Sequence, residues 1–347
     1  MIQNHPVIAL EEHYWHADMV KKSGGDSGGH RSADNVIRLN EIGPMRIAAM
    51  DEAGIDVQVL GHGMPATQRM DAESAVRLAR LSNDYLAEKC KAYPTRLYGF
   101  ANLPTPDPKA AADELERSVT KLGFKGAMVH GPSNGIFLDD ERFWPMWERA
   151  AALDVPIYMH PASMDERVTE IYLKDYLKKY PQLVGAAWGF TIETATIGLR
   201  MVLSGVFERW PKLQIILGHM GETLPFLLHR ESETLRALTP DGKTFRDIFC
   251  NHFHITTSGY YSTPALNFTI TEMGIDRVLF SVDYPYVDSK HRLDGRRADE
   301  CGRQGQDPRS QRQEVAEALG PARGMTTATT ALGTRRLMPP PSPTILG

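Results

Sequence analysis

Short apolar or β-branched runs recur along the chain as far as Tyr286, at residues 7–12, 56–60, 97–101, 126–129, 155–158, 213–217, 253–257 and 278–281. Most are continuous rather than alternating, the pattern of parallel strands buried on both faces. Helical periodicity fills the gaps between them. Across 72–92, Ala75, Leu78, Leu81 and Leu86 fall on one side, and 108–122 opens on a proline, which suits a first helical turn. Residues 139–153 and 191–210 also read as helices. Strands that alternate with helices predict a parallel sheet, and eight such units predict an α/β fold, a (β/α)8 TIM barrel. A doubly wound open sheet is the alternative, weakened because no GxGxxG follows the first strand.

Two stretches exceed a minimal barrel. Residues 21–34, rich in Gly, Ser and Asp, read as a long loop after the first strand, and 164–183 as an insertion after the fifth. Both belong to the C-terminal face, where barrel active sites form; the first is either a substrate-covering loop or a mobile insert. The domain expected over 1–287 is the barrel. Residues 288–347 form an atypical tail: nine arginines, no Phe, Trp or Tyr, and Pro339-Pro340-Pro341 near the end. Such a segment buries little surface and is expected to be poorly ordered. The abrupt change after Tyr286 points to a shifted reading frame or altered C-terminus, with a natural tail as the alternative.

Composition narrows the function class. The net charge of −4 and pI near 6.3 supply no basic field for nucleic acid. No apolar run approaches the roughly 18 residues of a membrane span, and residues 1–6 lack a signal-peptide pattern. A cytoplasmic protein with no membrane partner is expected. Cys90, Cys250 and Cys301 show no CxxC spacing, so three free thiols are expected.

Polar residues collect where strands end. In Glu11-Glu12-His13, alternation puts Glu11 and His13 on one face and Glu12 on the other. His160 follows an apolar run and precedes a proline; Asp283 closes the last strand. His219 lies between glycines, with Glu222 placed to reach back to its imidazole if a helix starts there. Singly each has an ordinary structural explanation. Together they come from four strands at one end of a barrel, and two histidines with two carboxylates suit Mn²⁺ or Zn²⁺. His62 and His130 are candidates for the pocket lining, and Tyr14, Trp15 and His16 for either the pocket or loop packing. His254 is read as structural or as a support behind the site residues, and Glu193 as interface or helix-start packing.

The segments Leu10-Glu11-Glu12-His13, Tyr158-Met159-His160-Pro161, Ile216-Leu217-Gly218-His219-Met220-Gly221-Glu222, His254-Ile255-Thr256-Thr257-Ser258-Gly259 and Phe280-Ser281-Val282-Asp283-Tyr284-Pro285 carry a family likeness. Over about residues 5–287 the chain resembles the amidohydrolase-related, ACMSD-like non-oxidative hydroxybenzoate decarboxylases. Members act on gamma-resorcylate (2,6-dihydroxybenzoate), 2,3-dihydroxybenzoate, 5-carboxyvanillate and salicylate. The resemblance implies Glu11, His13, His160 and Asp283 as metal ligands, and His219 with Glu222 as a second catalytic pair. It implies Arg230 and Tyr286 beside the substrate, a small aromatic carboxylic acid, and a homodimer or homotetramer. The tail departs from the family pattern. The expected reaction is metal-dependent loss of CO₂ from an ortho-hydroxybenzoate to give a phenol, with Asp283 as proton donor. The runner-up is a metal-dependent hydrolase of the same superfamily acting on an aromatic-degradation intermediate. A third reading is a binding scaffold that has lost its site.

Overall fold

The computed structural model describes residues 6–23 and 32–287. Residues 24–31, the middle of the Gly-rich stretch, and the tail 288–347 lie outside the described residues, so the covering-loop and tail expectations fall there.

Each of the eight apolar runs contains a strand. They are β1 (Ile8–Tyr14), β2 (Val57–His62), β3 (Leu97–Gly99), β4 (Ala101–Asn102), β5 (Ala127–His130), β6 (Ile157–His160), β7 (Ile215–Leu217), β8 (Phe253–Thr256) and β9 (Val278–Leu279). The third run is divided, β3 from β4, at Phe100. All pairings are parallel, in the order β1-β2-β3 and then β4 through β9. Phe100 links the two sets: its N–H donates to the Leu60 carbonyl at 2.8 Å, and the Ala101 N–H to the Gly126 carbonyl at 2.9 Å.

The helices between them follow local rules. Helix Ala72–Ala92 begins where the Asp71 carboxylate accepts the Ser74 N–H at 2.8 Å. Helix Pro108–Leu122 has Asp107 as its cap, proline in its first turn and left-handed Gly123 at its end. Two expected helices start or stop differently. The 139–153 segment becomes a 3-10 turn, Glu141–Phe143, followed by helix Trp144–Leu153. The 191–210 segment becomes Gly189–Leu203 and Val206–Arg209, interrupted where Gly205 takes φ +78°. The insertion after β6 carries short helices Glu166–Tyr172 and Lys174–Leu177, neither with a buried residue.

Apolar packing is layered. Leu10, Val59, Phe100, Met128, Tyr158 and Ile216 fill the barrel interior. A larger cluster, including Trp147, Phe249 and Leu217, lies between strands and helices. The seam between first and last strands is closed largely by side chains. The His13 N–H donates to the Tyr284 carbonyl at 2.7 Å and the Glu11 N–H to Ser281 Oγ at 2.8 Å. The Glu12 carboxylate accepts the Val282 and Tyr284 N–H groups at 3.0 and 3.3 Å.

Candidate metal centre

Strand β1 places two chemistries side by side. Its pairing with β2 slips between Ala9 and Glu12, a register irregularity that re-aims the strand end. Glu11 and His13 turn into the barrel mouth, while Glu12 turns into the seam. The expected division of these faces is therefore what the fold makes.

In the mouth, Glu11 Oε1 lies 3.3 Å from His160 Nε2, 3.7 Å from His219 Nε2 and 4.0 Å from His13 Nε2. Candidate ligand atoms of Glu11, His13 and His160 fall within 4.8 Å of one another, and all three residues are buried. Asp283 joins through His13, its Oδ1 3.3 Å from His13 Nε2, and its Oδ2 is 3.8 Å from His219 Nε2.

The carboxylate of Glu11 is held from one side only. Tyr158, Ser258 and Thr256 direct hydroxyls at Oε2. Oε1 is buried without a hydrogen-bond partner, as is His13 Nε2. An orphaned carboxylate oxygen facing an orphaned imidazole nitrogen is costly unless a cation sits between them. Burial pushes the Glu11 carboxyl above its usual range and His160 well below its own. A divalent ion would restore the Glu11 charge and use the neutral imidazoles. Two nitrogens and carboxylate oxygen are donors such an ion accepts, so these residues fit the group. Gly218 makes room for the hydroxyl-bound side of this carboxylate: a Cβ there would stand 2.6 Å from Glu11 Oε2 and 2.8 Å from the Tyr158 hydroxyl.

His219 and Glu222 pair, but not on a helix. The Nδ1–H of His219 donates to Glu222 Oε1 at 2.6 Å within a tight turn in which His219, Met220, Glu222 and Thr223 all have positive φ. The helix, Leu224–Leu235, starts only afterwards, so the expected helical i,i+3 contact is a left-handed turn instead. Each such non-glycine residue costs about 1–3 kcal/mol, and clustering of this strain is characteristic of functional sites. Burial pulls the His219 pKa down, but Glu11 and Glu222 outweigh it and hold the ring well above its usual range. Asp283 also has positive φ, at 74°.

The remaining expected residues divide. The Tyr286 ring lies 5.5 Å from that of His13. Arg230 lies on the exposed side of helix Leu224–Leu235, and among the described residues it makes no hydrogen bond or ion pair to the cluster. Tyr14 and Trp15 are tied to the scaffold: the Tyr14 hydroxyl, at the end of β1, donates to the Ser82 carbonyl within helix Ala72–Ala92, and Trp15 Nε1 donates to the Met64 carbonyl. His62 is spent on backbone, accepting the His16 N–H at 2.9 Å. Glu193 accepts the Asp165 N–H at 3.2 Å and so anchors the start of the insertion. Sequence reading missed the hydroxyl trio on Glu11. Tyr158, two residues before His160 on the same strand face, was the available signal.

Fold and site define a metal-dependent barrel enzyme class, and the chain belongs to the amidohydrolase family, whose profile matches residues 12–316. Gamma-resorcylate decarboxylase of Rhizobium sp. (strain MTP-10005) is 39% identical over 299 residues, spanning 83% of this chain and 90% of that protein. A crystal structure of 2,6-dihydroxybenzoate decarboxylase complexed with 2,6-dihydroxybenzoate superimposes with a TM-score of 0.75 at 38% identity, covering 83% of this chain and 91% of the other. Dihydroxybenzoic acid decarboxylase from Polaromonas sp. JS666, with bound manganese and the inhibitor 2-nitroresorcinol, gives 0.74 at 38% identity over 83% and 89%.

Proposed function

We propose that this chain is a carboxy-lyase that removes CO₂ non-oxidatively from an ortho-hydroxybenzoate, with one divalent ion held by Glu11, His13, His160 and Asp283. The observation that carries the reading is the buried, partnerless pair Glu11 Oε1 and His13 Nε2, set within reach of His160 and Asp283. The relatives supply the substrate class and support manganese as the ion, with zinc as the alternative the ligand set also accepts.

Direct loss of CO₂ would leave an aryl carbanion, so the ring carbon bearing the carboxylate must first gain a proton. When bound, the ion supplies Lewis acidity and a template for the carboxylate and ortho oxygen. Asp283, held ionised beside His13 and His219, takes the proton of the ortho hydroxyl and delivers it to the ring carbon, where a C–H bond forms. The C–CO₂ bond then breaks, and its electron pair restores aromaticity. His219, oriented by Glu222 and held protonated by Glu11 and Glu222, donates a hydrogen bond that positions the substrate oxygen. Tyr286, against His13, packs on the substrate ring.

Self-association belongs to the same proposal. Phe226 and Phe268 are exposed with rings 5.1 Å apart, Tyr260 and Tyr261 are exposed as well, and the insertion exposes Ile171, Tyr172 and Tyr176. A second copy of the chain, in a homodimer or homotetramer, would bury these patches. Cys90 and Cys250 are free thiols, which suits the reducing cytoplasm. Among the described residues, no helix is long and apolar enough to cross a membrane.

The test is Asp283→Asn. It should retain part of its manganese yet lose turnover of dihydroxybenzoates by roughly 10²–10⁴-fold. Normal turnover by this variant would remove Asp283 as the acid. A ring-opened or cleaved acid in place of phenol and CO₂ would install the hydrolase reading instead.

A further inference from the structure

His130 is a buried polar residue that the mechanism leaves unused. It ends β5 directly opposite His160 in the parallel ladder, so both side chains enter the barrel mouth, and their ring centroids are 4.8 Å apart. It is nevertheless not part of the ligand group formed by Glu11, His13 and His160. Its Nε2 is buried and without a hydrogen-bond partner. An imidazole nitrogen accepts a hydrogen bond or, when it carries the proton, donates one. The mouth therefore holds a buried ring nitrogen with no partner, flanking the place where an arene over His13 and His160 would lie.

We infer that His130 is a specificity residue: its Nε2 forms a hydrogen bond with a second ring hydroxyl, so the preferred substrates are dihydroxybenzoates rather than salicylate. This rests on the decarboxylase reading and refines its substrate class. A substrate lacking that hydroxyl leaves a buried ring nitrogen unsatisfied, whereas one that carries it satisfies both groups at once. Mono- and dihydroxy compounds, otherwise alike at the reacting carbon, are separated by this contact.

The experiment compares the manganese-loaded protein's affinity for 2-nitroresorcinol and 2-nitrophenol, unreactive mimics that differ by one hydroxyl, by calorimetry. It also compares kcat/KM for 2,6-dihydroxybenzoate and salicylate. The wild type should prefer the dihydroxy member by roughly ten- to hundredfold in both measurements. In His130→Leu the preference should collapse to within about threefold, and His130→Asn, which keeps an acceptor oxygen, should restore part of it. Equal wild-type affinity for the two nitro compounds would overturn the inference without requiring any variant to fold. So would an undiminished preference in His130→Leu. A wild type that decarboxylates neither acid sinks the broader reading instead, so the two failures are distinguishable.

Discussion

Two neighbouring carboxylates on β1 live in opposite worlds. Glu12, in the barrel seam, is saturated: it accepts Gln58 Nε2 at 3.2 Å, the Ser281 hydroxyl at 3.3 Å and the backbone N–H groups on either side of Asp283. Behind it, buried Arg46 donates to the His13 carbonyl at 2.5 Å and to Gln58 Oε1 at 3.1 Å, with the Tyr284 ring 4.6 Å from its guanidinium carbon. Glu11, one residue earlier, keeps one oxygen bare among three imidazoles. A satisfied polar network specifies structure, because every group loses by leaving it. An unsatisfied one in the same strand keeps its polar atoms free to bind a ligand.

Breaking the ligand side should cost function far more than stability. Glu11→Gln is expected to abolish stoichiometric manganese, read by mass spectrometry of the metal content, and to lower turnover by about 10³-fold or more. Its unfolding midpoint measured without metal should hardly move. Full metal loading by this variant would dissolve the contrast between the two carboxylates. The seam should behave in the reverse sense. Arg46→Met removes one member of a buried charged network and is expected to cost about 3–5 kcal/mol in denaturant unfolding. If unfolding were unaffected while turnover fell, the seam would have to be counted with the active site. The smallest effect sharpens the division. Glu222→Gln weakens only the grip on His219 and should reduce kcat by roughly 10–100-fold, with manganese content and unfolding midpoint unchanged.

Much of this was legible in the residues. Continuous apolar runs mark parallel strands because burial on both faces leaves no polar positions, and the bounds of helices Ala72–Ala92 and Pro108–Leu122 could be read from their caps. Alternation separated Glu11 and His13 from Glu12, and the ends of β6 and β7 pointed to His160 and His219. Local pattern did not reveal the left-handed turn that joins His219 to Glu222, since non-glycine residues adopt it only when surrounding packing imposes it. Nor did it place Tyr158, Thr256 and Ser258 around a single oxygen of Glu11.

The sequence by itself determined the barrel, the strand ends and the inventory of ligand-type side chains, because periodicity and chemical identity are properties of short stretches. Only the tertiary structure decided which polar atoms are satisfied. That depends on contacts such as Ser258 with Glu11, 247 residues apart. Satisfaction is a property of the closed barrel, where water is excluded and each buried group must find its partner across the fold or wait for one from outside.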